Sequence, residues 1–252
     1  MIALAPLLAM KTQAAKPVVA IVGSGGKTSL LWYLAEANRR KKVLASTTTK
    51  ILLPPSAQYD RLWDGSLLKG NDAQAGITLA VEPLEGAEGK QGPVSADVLE
   101  KQACAYDYVV IEADGSRNLP LKGWTKEEPV VPPFTTCTIG VITLWPVGRP
   151  ISTTIIHRLR EFCEISGGQP GEALSLTHVA SAVAHPLGLM KAARGQRVLF
   201  VNQVEDRQSE DMARAFAHYL PAAFRETLSL VVAASVKTGC GEVLWEEKKG
   251  WI

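Results

Sequence analysis

Short apolar runs alternate with segments of helical period along most of the chain. Residues 17–22 (PVVAIV) are β-branched and end at a glycine, which predicts a buried strand. From Lys27 to Arg39 the apolar side chains recur at helical spacing, and residues 42–47 (KVLAST) predict a second strand. A strand, a helix and a strand within about 30 residues indicate a βαβ unit, whose two strands run parallel.

The same alternation continues towards the C-terminus. Residues 95–104 predict a helix with Ser95 as its cap, and residues 106–116 predict a buried strand that ends in acidic residues. Further strands are predicted at 76–84, 137–145, 196–206 and 228–236, and further helices at 157–165, 177–185 (capped by Thr177) and 209–220. This order favours a mostly parallel α/β sheet flanked by helices on both faces.

Composition excludes several classes of protein. The net charge of +2 comes from 27 basic and 25 acidic residues spread along the chain, whereas nucleic-acid binding needs a clustered basic face. No apolar run approaches the roughly 18 residues of a membrane span. The N-terminal residues lack a basic region before their short apolar run, which argues against a signal peptide. We therefore expect a cytoplasmic protein that binds neither nucleic acid nor membrane.

A glycine-rich turn follows the first predicted strand. The phosphate-binding consensus is G-x-x-x-x-G-K-[ST]; here Ile21 stands at its first glycine and the loop is shorter. Glycines let backbone N–H groups approach phosphate, and a helix N-terminus adds partial positive charge. Lys27 is predicted to reach the terminal phosphates and Thr28 to bind Mg²⁺, a plain turn being the alternative. The predicted nucleotide-binding residues here are Gly23, Ser24, Gly25, Gly26, Lys27, Thr28 and Ser29.

Two acidic residues follow one buried strand, in VVIEADGS (109–116). Glu112 and Asp114 alternate, so that in an extended chain their side chains point the same way. Together with Lys27 they are the predicted catalytic residues, and with Thr28 the predicted Mg²⁺ ligands, one carboxylate orienting a nucleophile or water. A solvated turn is the alternative, because Asp-Gly-Ser also favours turns.

Several polar residues follow other predicted strands. Ligands of open α/β sheets bind beyond the carboxyl ends of the strands, so these side chains are candidates for contacts with substrate anions or phosphate. The alternatives are hydroxyls that satisfy loop backbone, a structural histidine and ordinary surface charge. The candidates are Thr48, Lys50, Arg117, Lys122, His157 and Arg158.

A third motif concerns the nucleotide base. Asn202-Gln203-Val204-Glu205 has the form of the Asn-Lys-x-Asp motif of guanine-nucleotide proteins, with Gln and Glu as replacements. The stretch AASVKTG (233–239) would complete a base pocket. Asn202 and Glu205 are therefore predicted to recognise the base, while the degenerate motif leaves both ATP and GTP open as the nucleotide bound with Mg²⁺.

These stretches resemble one known family. VGSGGKTSLLWYLA (22–35), VLASTTTKI (43–51), VIEADGSRNLPLKGW (110–124), VGRPI (147–151) with His157-Arg158, and NQVED (202–206) together are similar to the YqeC family of selenium cofactor biosynthesis proteins. The resemblance implies a cytosolic NTPase that helps to mature selenium-dependent molybdenum hydroxylases, with such a hydroxylase or its cofactor as partner. It puts the phosphate loop at Gly23–Thr28 and the acidic motif at Glu112–Arg117.

We therefore expect a single P-loop NTPase-like α/β domain over residues 1–252, with a shortened phosphate loop and a loop-rich insertion at about 53–95. The alternatives are an ATP-dependent kinase or ligase that acts on a small substrate, and a nucleotide-gated binding module without turnover. Lys27 is expected to be an exposed loop residue, so that Lys27→Ala would weaken triphosphate binding far more than folding.

Overall fold

A computed structural model with side chains describes residues 2–9, 14–66, 73–84, 89–247 and 250–251. No helix within these ranges has the length and apolar character needed to cross a membrane. The helices are α1 (Leu4–Ala9), α2 (Lys27–Ala37), α3 (Ala96–Ala103), α4 (Leu159–Ser166), α5 (Leu176–Ala184), α6 (Arg207–Tyr219) and α7 (Ala222–Arg225), with a 3₁₀-helix at Ser56–Gln58. The strands are β1 (Ile2–Ala3), β2 (Val18–Gly23), β3 (Lys42–Thr47), β4 (Ile51–Leu52), β5 (Arg61–Leu62), β6 (Gly76–Ala80), β7 (Glu82–Pro83), β8 (Lys90–Gly92), β9 (Tyr108–Glu112), β10 (Leu121–Lys122), β11 (Cys137–Thr143), β12 (Ile156–His157), β13 (Gln196–Asn202), β14 (Leu230–Ser235), β15 (Cys240–Glu246) and β16 (Gly250–Trp251).

A large, mostly parallel sheet organises the chain, in the order β1-β15-β14-β13-β11-β2-β9-β3-β6-β5 with β16 on β15. Every pair from β14 to β5 is parallel, which confirms the predicted α/β class. The β15 strand runs antiparallel to both β14 and β1, which the sequence did not predict. Its residues alternate between buried and partly buried, so CGEVLWE lacks the continuous apolar run of the central strands.

Alternate residues of the strands serve opposite faces of the sheet. In β2, Ala20 and Val22 pack in a core cluster with residues of α4, α5 and α6. Val19 and Ile21 pack in the opposite cluster, which contains the apolar residues of α1 and α2. A third cluster joins Leu99 of α3 to β3, β6 and β9. The continuous apolar runs therefore bury both faces of the sheet, as predicted.

Three predicted helix starts are wrong. The helix predicted at 209–220 is α6, which begins at Arg207 after the cap Asp206. The helix predicted at 157–165 begins at Leu159, because Ile156 and His157 form β12, which pairs with β10, and Arg158 takes a left-handed φ of 60°. The helix predicted with a Thr177 cap begins at Leu176. Ser175 caps it instead by accepting from His178 N at 3.2 Å.

The predicted insertion at about 53–95 contributes to the main sheet. Strand β6 pairs with β3 and carries β5 on its other side, while β4, β8 and β7 form a small antiparallel sheet. Residues 67–72 and 85–88 of this insertion lie outside the described residues.

The strand order reverses direction beside β2. From β2 the chain passes through α2 to β3, and β9 then lies between these two strands, whereas β11, β13 and β14 all lie on the other side of β2. Ligands of open α/β sheets bind in the crevice outside the carboxyl ends of the strands at such a reversal. The residues after β2 and β11 therefore occupy the expected position of a binding site.

Candidate functional site

The segment Gly23–Thr28, here called the glycine loop, joins the carboxyl end of β2 to the start of α2. Gly25 and Gly26 have φ values of 80° and 123°, a region that L-residues rarely adopt. A Cβ on Gly26 would lie 2.2 Å from Nδ2 of Asn202, which itself donates to Gly25 O at 2.8 Å. Glycine is therefore required both by the backbone conformation and by the close approach of Asn202.

Lys27 is buried, with only 3% of its surface exposed, so the expectation of an exposed loop lysine is wrong. Its Nζ donates to Gly23 O at 2.7 Å and lies 3.3 Å from Asp114 Oδ1 and 3.8 Å from Glu112 Oε1. The ammonium group folds back over the glycine loop because two carboxylates at the end of β9 attract it. Both carboxylates therefore contact Lys27, whereas the alternation in the sequence predicted only that they point the same way.

Asp114 lies behind the glycine loop and is fully buried. Its carboxylate accepts from Gly23 N at 3.0 and 3.1 Å, from Lys122 Nζ at 3.1 Å and from Trp124 Nε1 at 3.1 Å. Hydrogen-bond donors of the protein thus occupy both carboxylate oxygens. This arrangement fixes the backbone of the loop.

Glu112 also accepts a hydrogen bond from Thr28, whose Oγ1 donates to Glu112 Oε2 at 2.8 Å. Burial raises the pKa of Glu112, and the positive charge of Lys27 and the hydrogen bond from Thr28 oppose that rise. Within the described ranges, no three His, Cys, Asp or Glu side chains converge as a metal site. The hydroxyl and the carboxylate instead form a two-ligand set of the kind that Mg²⁺ uses when substrate phosphates and water complete its coordination.

A cleft of about 1400 Å³ opens above the glycine loop and the carboxyl ends of β3 and β9. Its lining combines loop backbone, basic side chains and Trp145. Glu112 lines the cleft, whereas Asp114 does not. Of the predicted site residues, the cleft brings together Gly25, Gly26, Lys27, Thr28, Ser29, Lys50, Glu112, Arg117, His157 and Arg158.

The other predicted residues lie beneath or beside this cleft. Thr48 donates from its hydroxyl to Val130 O at 2.8 Å. Lys122 is 1% exposed and donates to Gly115 O at 2.6 Å and to Glu128 at 2.8 Å, in addition to Asp114. The residues that do not line the cleft are Gly23, Ser24, Thr48, Asp114, Lys122, Asn202 and Glu205.

The segment predicted to recognise the base connects two loops. Asn202 donates to the glycine loop and accepts from Val236 N at 3.2 Å. Glu205 accepts from Ser235 Oγ at 3.1 Å and from Lys237 Nζ at 3.2 Å. The ends of β13 and β14 therefore meet as the motif suggests, but the residue of this segment that lines the cleft is Gln203.

Several residues of the site were missed by the sequence analysis. Glu128 binds both guanidinium nitrogens of Arg158, at 2.6 and 3.0 Å, as well as Lys122. It sits in a polar, proline-flanked stretch with no motif, so nothing in the sequence marks it. Trp124 ends the EADGSRNLPLKGW stretch, which was the available signal. Lys90, Trp145 and Gln203 also line the cleft.

Comparisons with known proteins bear on this geometry. The model of the YqeC protein family matches residues 19–160, which include the glycine loop, both carboxylates and Arg158. Asn202 and Glu205 lie beyond the matched residues. The chain is also similar to Uncharacterized protein YqeC of Escherichia coli (strain K12), with 36% identity over 197 residues that cover 74% of this chain and 75% of that protein.

Proposed function

This chain belongs to the YqeC family, and we propose that it binds a nucleoside triphosphate, ATP or GTP, together with Mg²⁺ at the glycine loop. The observation that carries the proposal is the position of this loop between a buried strand and a helix, at the reversal of strand order. Gly26, the N-cap of α2, has no side chain that could accept from the first turn of that helix. The N–H groups of this turn are therefore available to an anion.

We assign different roles in phosphate binding to Lys27 and Asp114. Lys27 lines the cleft, and its ammonium group is held in a fixed place by Gly23 O and by two carboxylates. We assign it to the terminal phosphates, where it would stabilise the negative charge that develops during phosphoryl transfer. Asp114, whose oxygens are taken by protein donors, is assigned to positioning Gly23 and Lys27.

The donor set of Thr28 and Glu112 fits Mg²⁺, because both oxygens line the cleft at 2.8 Å from each other. Bound there, the ion would neutralise phosphate charge. Glu112 must be ionised to bind a cation, and Lys27 favours that form despite the burial of the carboxyl group. The same carboxylate is positioned to orient a water molecule in the cleft.

The wider role in the proposal comes from the family. We infer an Mg²⁺-dependent NTPase that acts as an accessory protein in the maturation of selenium-dependent molybdenum hydroxylases, with the hydroxylase or its cofactor as partner. Membership of the YqeC family supports a role as an accessory protein, and the selenium-related part follows from what the resemblance of the motifs implies. Turnover at the glycine loop would drive a change of shape that delivers or inserts a cofactor component.

Binding and turnover can be measured together to test the proposal. ATP and GTP are titrated calorimetrically into the chain with Mg²⁺, and products are followed by ³¹P NMR with no second substrate. Binding followed by release of inorganic phosphate is the expected result. Binding without release would favour a nucleotide-gated module or, if a small acceptor restores turnover, a kinase or ligase. No binding of either nucleotide would contradict the proposal.

A further inference from the structure

The cleft above the glycine loop is larger than one small ligand requires. Its volume of about 1400 Å³ exceeds the roughly 300–1,000 Å³ of typical small-molecule sites. Among the residues that the structure describes, five cationic side chains and two carboxylates line it, so their positive charge is in excess by three. The cations are Lys27, Lys50, Lys90, Arg117 and Arg158, and the carboxylates are Glu112 and Glu128.

Three of these cations are without a partner: the side chains of Lys50, Lys90 and Arg117 form no hydrogen bond or ion pair with the residues that the structure describes. Lys27 faces Glu112, and Arg158 binds Glu128, so these three account for the excess charge. Lys50 follows β3 and Arg117 follows β9, on the side of β2 away from β11 and β13. Two of the three free cations therefore follow strands on the same side of β2, and the third, Lys90, lies on β8 of the small sheet.

His157 and Arg158 line the same cleft. Glu128 holds both guanidinium nitrogens of Arg158, at 2.6 and 3.0 Å, so the orientation of that planar group is fixed, while 23% of the side chain stays exposed. Burial lowers the pKa of the neighbouring His157, and the charges of Arg158, Lys122 and Arg117 lower it further. Arg117 thus acts electrostatically on the same ring as Arg158, and the neutral imidazole offers one donor and one acceptor.

We propose that Lys50, Lys90, Arg117, His157 and Arg158 form a subsite for a second small molecule that carries a phosphate group. This inference rests on the proposed function, which places the nucleotide on the glycine loop. A phosphate group carries about −1.5 to −2 charge at neutral pH and several acceptor oxygens, which suits an excess of three positive charges and two guanidinium groups. A single carboxylate would leave most of this charge uncompensated.

The test is a titration of inorganic phosphate into the full chain loaded with Mg²⁺ and a non-hydrolysable triphosphate, at constant ionic strength. One phosphate is expected to bind per chain without displacing the nucleotide. Arg117→Ala should weaken the affinity for phosphate about tenfold or more, as expected for a lost charge-assisted hydrogen bond. It should leave the affinity for the nucleotide unchanged. Arg40→Ala is the control, because Arg40 is exposed and lies between α2 and the amino end of β3. It should change the affinity for neither phosphate nor nucleotide.

Other results would overturn the inference. If Arg117→Ala weakens nucleotide binding as much as phosphate binding, or if bound nucleotide prevents phosphate from binding, these cations bind the triphosphate itself. Acetate binding as tightly as phosphate would refute the choice of a phosphate group. If neither nucleotide binds, the proposed function fails and the titration is repeated on the free chain. There, loss of phosphate binding with Arg117→Ala but not with Thr28→Ala would support the subsite, and equal loss with both would overturn it.

Discussion

Replacing Asp114 by asparagine tests the electrostatic support of the glycine loop. The carboxylate accepts from Gly23 N, Lys122 and Trp124 and lies 3.3 Å from Lys27 Nζ. Asparagine has the same shape, but one of its two terminal atoms is an NH₂ group that cannot accept. If the amide oxygen takes the Oδ2 position, Gly23 N, Lys122 and Trp124 keep an acceptor, but the NH₂ group then faces the ammonium group of Lys27. In either orientation, two buried ammonium groups lose the negative charge that they share.

The expected loss of stability follows from burial. The side chains of Lys27 and Lys122 are 2% and 0% exposed, so water screens their charges little. Removing one partner of a buried ion pair costs about 3–5 kcal/mol. Lys27 keeps Glu112 at 3.8 Å and Lys122 keeps Glu128 at 2.8 Å, which places the expected loss near the lower end of that range. Such a loss is a large share of the roughly 5–15 kcal/mol that stabilises a typical protein.

Urea unfolding of Asp114→Asn against the wild type measures this loss. Asp211→Asn is the control, because that carboxylate is 65% exposed and 3.7 Å from Arg214; its replacement should cost less than about 1 kcal/mol. The two free energies of unfolding should therefore differ clearly. A loss below about 1 kcal/mol for Asp114→Asn as well would refute the electrostatic reasoning.

Three further predictions concern the cleft. Gly26→Ala should abolish nucleotide binding in a calorimetric titration, because its Cβ would lie 2.2 Å from Asn202 Nδ2. Thr28→Ala should weaken nucleotide binding in the presence of Mg²⁺ more than in its absence, with little change in urea unfolding because Thr28 is exposed. Because the pKa of His157 is depressed in the folded chain, the unfolded chain takes up its proton first, so stability should fall as pH drops below 6.5. His157→Gln should make this fall in the free energy of unfolding smaller. The measurement is urea unfolding above and below pH 6.5.

Each of these has a result that contradicts it. Nucleotide binding retained in Gly26→Ala would contradict the role given to the collision with Asn202. Gly65→Ala is the control and should leave nucleotide binding unchanged, because Gly65 also has a positive φ, of 89°, but nothing lies within 4 Å of the added Cβ. A Thr28→Ala defect independent of Mg²⁺ would argue against Thr28 as a metal ligand. If the free energy of unfolding of His157→Gln falls with pH as it does in the wild type, other groups cause the loss of stability at low pH.

The sequence predicts the centre of the fold better than its edge. Strand β3 has the bounds predicted from KVLAST, because a buried parallel strand requires a continuous apolar run. The antiparallel strand β15 was not predicted, because it is only partly buried and partial burial permits polar residues within it. The β12 pairing displaces the start of α4 to Leu159, and such a pairing depends on contacts with β10 that no local pattern encodes.

The candidate site shows the same division. Local spacing predicted that Glu112 and Asp114 point the same way, and both lie within 4 Å of Lys27 Nζ. It did not predict that Glu112 lines the cleft and Asp114 does not. Burial of Lys27 could not be predicted, because it follows from contacts between two strand ends that lie far apart in the chain. In the sequence, Lys122 likewise resembles a surface or substrate-binding lysine. Its burial could not be predicted, because it depends on contacts with Asp114 and Glu128.

The unfolding temperature in Mg²⁺ with ATP, with GTP and with neither tests the central claim most directly. A ligand that binds only the folded chain stabilises it by RT ln(1 + [L]/Kd), about 2.7 kcal/mol at a hundredfold excess over Kd. At least one nucleotide should raise the unfolding temperature of the wild type, and raise it much less in Thr28→Ala. A preference for GTP would support base recognition by Asn202 and Glu205, and a preference for ATP would argue against it. No rise with either nucleotide would contradict nucleotide binding at the glycine loop.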